Sequence, residues 1–108
     1  MTEPTEDILR SLTHEGATQY VGTVFRAAVG DSTAELKLIT ADRILPDRPR
    51  SSRMKRDPFS LIFRGPAVPR LYQGMYALQS DTVSFPNIFL VPIAELEEGG
   101  FEYEAVFT

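Results

Sequence analysis

Apolar residues recur at two-residue spacing through much of the chain, the period of a strand with one face buried and the other solvated. Between Ala17 and Val29, Val21, Phe25 and Val29 fall at even spacing among frequent β-branched residues, which predicts a strand. Gly30-Asp31-Ser32 supplies turn residues, and Leu36 and Leu38 then oppose Glu35 and Lys37 across Ala34–Leu38, so the two segments predict a hairpin. Phe59, Leu61 and Phe63 alternate with Ser60, Ile62 and Arg64. Gly65-Pro66 and Pro69 break that run before Leu71–Leu78, which predicts a second hairpin, with Gly74 marking a bulge and Tyr76 and Leu78 facing the core. Ser84-Phe85-Pro86-Asn87 reads as a turn or an edge kink. Ile88-Phe89-Leu90-Val91 is continuously apolar and predicts a strand buried on both faces, its ladder ended by Pro92. After Glu98-Gly99-Gly100, Phe101, Tyr103, Ala105 and Phe107 alternate with Glu102, Glu104 and Val106 to the chain end.

Two segments depart from this period. Thr5 can cap a short helix, with Glu6 and Asp7 at its positive end, Ile8, Leu9 and Leu12 on one face and Gly16 as C-terminal cap, giving about two turns that end near Thr13. Arg43 to Asp57 holds Pro46, Pro49, Ser51 and Ser52 together with Arg43, Arg48, Arg50, Arg53, Lys55 and Arg56. Six basic residues against two acidic give this stretch a net charge of +4, while the remainder, five basic against thirteen acidic, carries −8. Repulsion between like charges, prolines that cannot pair and little apolar surface predict a mobile loop. Six to seven short strands, one short N-terminal helix and no βαβ spacing define an all-β fold, a small antiparallel barrel or sandwich. The 108 residues form one domain, 1–108, in which 1–16 is helix and tail and 43–57 is the basic loop.

Composition narrows the chemistry. The chain has no Cys, which removes disulfides, thiolate metal sites and Cys nucleophiles. No apolar run reaches the ~20 residues that span a bilayer, and the acidic opening has no signal pattern, so no membrane is expected and a cytoplasmic location is favoured. His14 is the single histidine, and no Gly-x-Ser-x-Gly elbow accompanies it; a solvated His at a helix end is the simpler reading. Glu95, Glu97, Glu98, Glu102 and Glu104 crowd one turn without the spacing of a calcium loop, and neither a dinucleotide fingerprint nor a P-loop occurs. No cofactor, metal or small-molecule substrate is therefore expected. Arg64 and Arg70 flank the Gly65-Pro66 turn and could clamp a carboxylate or pair with nearby acids. Tyr72, Tyr76 and Tyr103 are read as core rings with their hydroxyls at the rim. The basic loop suits an acidic protein partner better than nucleic acid, because the rest of the surface is acidic and no aromatic residue is interleaved with the arginines.

Pro58-Phe59-Ser60-Leu61-Ile62-Phe63-Arg64-Gly65-Pro66, Leu71-Tyr72-Gln73-Gly74-Met75-Tyr76, Phe89-Leu90-Val91-Pro92-Ile93 and Tyr103-Glu104-Ala105-Val106-Phe107 occur in that order. Over roughly Val24 to Phe107 the chain thereby resembles a family of small bacterial domains of unknown function, and similar domains occur near phage-tail-like collar and fibre proteins. The resemblance implies no catalytic residue. A non-enzymatic assembly module of a larger bacterial structure, tail-like or fibrous, is the leading expectation; an accessory module that docks an acidic protein, or less readily nucleic acid, through the basic loop is the alternative. A small hydrolase or isomerase using Tyr and Glu side chains is a third. Partner contacts are expected at Arg48, Arg50, Arg53, Lys55 and Arg56 in the loop. They are also expected at Ala105, Val106 and Phe107, where the last strand either closes the sheet or offers an edge to a protein partner or a second copy.

Overall fold

The computed structural model describes residues 12–44 and 58–107. A short helix α1 (His14–Thr18) precedes six strands, β1 (Val24–Val29), β2 (Ser32–Arg43), β3 (Phe59–Gly65), β4 (Gly74–Gln79), β5 (Ser84–Glu95) and β6 (Phe101–Phe107). They close into an antiparallel barrel in the order β1-β2-β3-β6-β5-β4. Two three-stranded meanders, β1-β2-β3 and β4-β5-β6, are thus joined along two seams. The β3–β6 seam carries seven residue pairs from Phe59↔Phe107 to Gly65↔Phe101, whereas the β1–β4 seam carries two, Arg26↔Gln79 and Ala27↔Leu78.

The β1–β2 hairpin forms as its alternation predicts, across Gly30-Asp31 with Gly30 at φ +60, the first central position of a turn whose twist matches the strands. Other sequence expectations give way to closure. Residues 17–23 are not strand: they finish α1 and turn into β1, and the Gly22 and Leu38 amides bond to the Leu38 and Thr23 carbonyls, respectively. Thr13 starts a helix rather than ending one, because its hydroxyl accepts from the Gly16 amide at 3.0 Å, so Gly16 lies inside α1. The proposed helix upstream, through residue 11, lies outside the described residues. β3 and β4 are not a hairpin. Their connection, residues 66–73, crosses one barrel end, and β3 pairs instead with β2 and β6.

Proline placement explains the longest strand. Pro86 and Asn87 do not turn the chain; they lie inside β5 opposite Ala77, where the register with β4 shifts by one residue, and this is where the bulge falls rather than at Gly74. Pro92 does not end the ladder, since β5 continues to Glu95 past a second shift between Pro92 and Ala94. A bulge leaves one backbone group without a ladder partner, so it tolerates a residue that has no N–H to donate. The bulges also bend β5, which pairs with β4 along its first half and with β6 along its second.

Inward side chains fill the barrel. Phe25 from β1 stacks on Phe85 from β5 at 5.1 Å between ring centres and meets Phe63 from β3 edge-on at 5.9 Å, tying both meanders together. Leu36, Leu38, Leu61, Leu78, Leu90 and Tyr103 complete the fully buried set with Phe59 and Leu71. Leu12 and Ala17 close one end, beside Phe59. Leu71 closes the other, its amide donating to the buried Tyr103 hydroxyl at 3.0 Å. The β5–β6 turn needs glycine: Gly100 has φ +99, and a Cβ there would stand 2.6 Å from the Gly65 carbonyl oxygen. Gly100→Ala is therefore expected to cost about 2 kcal/mol or more by chemical denaturation; unchanged stability would show that the turn relaxes freely.

Candidate functional site

The residues singled out by sequence separate in space. Arg48, Arg50, Arg53, Lys55 and Arg56 lie outside the described residues. Arg43 does not belong to the loop: it is the last residue of β2, paired in register with Phe59, and the Ile44 amide bonds to the Pro58 carbonyl at 3.1 Å. His14 is not a solvated residue at a helix C-terminus. It is the first residue of α1, half-buried, with Nε2 2.9 Å from the Ala41 carbonyl and its ring edge-on to Phe59. That contact draws Nε2–H as the donor and leaves Nδ1, which has no hydrogen-bond partner among the described residues.

The last strand is an inner one, with β3 on one side and β5 on the other, so it does not present a free sheet edge. Ala105 points into the barrel, Phe107 stacks on Phe59 at 4.9 Å, and only Val106 of the three faces out, 55% exposed. The tyrosines divide as well. Tyr103 is buried and Tyr76 packs on the core while donating to the Tyr72 carbonyl at 2.7 Å, but Tyr72, expected in the core, is exposed. Among the acids, Glu102 is taken by Arg64, Nε to Oε2 2.7 Å, directly across β3 and β6. No group of three or more His, Asp or Glu that could hold a metal converges among the described residues.

What sequence reasoning missed is on the outside. Phe89 is not core: it is 46% exposed, because a closed barrel has one interior, and Ile88 and Leu90 occupy it. Met75 stands opposite Phe89 in the β4–β5 register and is 58% exposed. On β6, Val106 is exposed as well, beyond the last β5–β6 pair, Val91↔Glu104. Met75 and Phe89 therefore make an exposed apolar cross-strand pair on β4 and β5, with Val106 exposed on the next strand of the barrel. The signal available in the sequence was the unbroken apolar run 88–91 itself: in a barrel, every second residue of such a run must face water.

A second feature lies where β5 and β6 meet their connecting turn. Arg70 places its guanidinium carbon 4.7 Å from the Phe101 ring centre and 5.2 Å from that of Tyr72. It borders an open pocket of about 260 Å³ lined by Pro92, Ile93, Ala94, Glu95 and Phe101. Arg64 and Arg70 thus do not form one clamp: the first pairs with an acid, while the second rests on rings with no acidic partner among the described residues.

An all-β barrel of two meanders with a packed interior is the class these features define. The chain belongs to the family described as Domain of unknown function (DUF6916), which it matches over residues 12–107. No curated protein matches it, and no solved structure does. Among the described residues no helix is long and apolar enough to cross a membrane.

Proposed function

We infer that this domain is a non-enzymatic assembly module that joins a larger protein structure through the outer wall of β4, β5 and β6. The observation that carries the reading is the exposed cross-strand pair Met75 and Phe89, with Val106 exposed on the adjacent strand. Single exposed apolar residues are ordinary, but Met and an aromatic ring directly opposite one another on paired strands match the composition of interface cores. The bacterial, tail-like or fibrous setting is the finer form of this reading and is supported by the segment resemblance alone.

The test is light scattering on size-exclusion fractions of the domain, alone and mixed with proteins encoded beside it. Self-association or a stoichiometric complex is expected, and the double variant Met75→Lys, Phe89→Lys is expected to weaken it by at least tenfold, since each charge must be desolvated to dock, while the melting temperature stays near that of the parent. Association that survives both lysines removes this wall from the reading. A strict monomer that binds none of those proteins removes the assembly function.

A further inference from the structure

We propose that the pocket beside Arg70 receives a single carboxylate side chain carried by an otherwise apolar segment of the partner protein. The inference rests on the assembly reading and adds the chemistry of the partner. Four observations converge. The exposed Arg70 has both the Tyr72 and Phe101 rings within cation–π distance of its guanidinium, contacts that restrict a planar, fork-shaped donor without using its N–H groups on an acid. It lacks an acidic partner among the described residues, whereas Arg64, six residues earlier on β3, has Glu102 at 2.7 Å. Beyond it the pocket lining offers apolar surface from Pro92, Ala94 and the exposed Ile93 beside the carboxylate of Glu95. At about 260 Å³ and open to solvent, the pocket falls below the ~300–1,000 Å³ of small-molecule sites, and it suits one or two side chains rather than a cofactor.

Glu95 sets the selectivity. It is the one acid among the pocket's lining residues, so a run of carboxylates would meet more like charge than a lone carboxylate among apolar neighbours. A stacked arginine costs less to order than a free one, which makes a bidentate contact effective even on an exposed surface.

The experiment is a titration of the isotope-labelled domain, followed by amide and Arg Nε resonances, with the capped peptide Ala-Leu-Glu-Leu-Ala and its Gln counterpart. The Glu peptide is expected to saturate in the millimolar range, as suits a short fragment, shifting Arg70 Nε and the Ala94, Glu95 and Phe101 amides, and to weaken as salt is raised. Binding should fall roughly fivefold or more with the Gln peptide, with Arg70→Ala and with Arg70→Lys, which keeps charge but not the planar fork. Glu95→Gln should tighten binding of the all-acidic variant Ala-Glu-Glu-Glu-Ala more than that of the single-acid peptide. Equal affinity for Glu and Gln peptides, shifts located elsewhere, or no saturable shift up to on the order of 10 mM overturns the proposal. If it falls while association still depends on Met75 and Phe89, only the pocket assignment is lost; if the lysine variants associate normally but the peptide result holds, the assembly wall is misplaced and the pocket stands.

Discussion

Deletion of Ala105–Thr108 is expected to unfold the domain. The deletion removes the register pairs Phe59↔Phe107, Ser60↔Val106 and Leu61↔Ala105, three of the seven that hold the two meanders together along the β3–β6 seam. It also strips the Phe107 ring from Phe59 and takes Ala105 from the interior, leaving the buried Phe59 and Leu61 facing water. Each lost ladder contact is worth about 1 kcal/mol, and exposing large apolar side chains costs about 1.5–3 kcal/mol apiece. Together these approach the whole stability of a domain of this size, about 5–15 kcal/mol. Four pairs then remain on this seam and two on the other, all of them away from the end that the deletion opens. Loss of amide dispersion and of a cooperative melt is the expected readout. A truncated protein that melts cooperatively near the parental temperature would show that the strand end is dispensable. Val106→Lys is the matched control: its side chain points outward, so the change should cost less than about 1 kcal/mol.

Phe63→Ala and Phe89→Ala should differ sharply although both come from strongly apolar strands. Phe63 is fully buried and meets Phe25 edge-on at 5.9 Å, so truncation leaves a cavity in the rigid wall of the barrel and should cost about 3–5 kcal/mol. Phe89 is about half exposed on the outer wall, and its loss should cost less than about 1 kcal/mol of stability while lowering association. Urea midpoints at equal slope give the comparison directly. Comparable losses at both sites would mean that Phe89 is covered in the folded protein.

The strands of this domain were legible wherever one face is apolar and the other polar. Phe59, Leu61 and Phe63, and likewise Tyr103 and Ala105, alternate with polar or outward residues in the sequence and in the structure alike, because the two-residue period is a property of the backbone. The Gly30-Asp31 hairpin and the glycine turn before β6 were legible for the same local reason, a positive φ that only glycine adopts cheaply. The candidate site was only partly legible: Arg64 and Arg70 stood out beside a turn, yet nothing in the sequence says that Glu102 would claim the first and two rings the second.

Long-range pairing decided the rest. Whether β3 turns back onto β4 or joins β6, whether Pro86 and Pro92 end a strand or sit at bulges within one, and whether the last strand is an edge all depend on which segments meet across the barrel. Local pattern carries no such information, since any strand with an apolar face can pair with any other. The position of Phe89 is the clearest case. Sequence alone determined that residues 88–91 are apolar and extended; only closure of the barrel, which gives each strand one dry side and one wet one, decided that Ile88 and Leu90 form core while Phe89 faces outward.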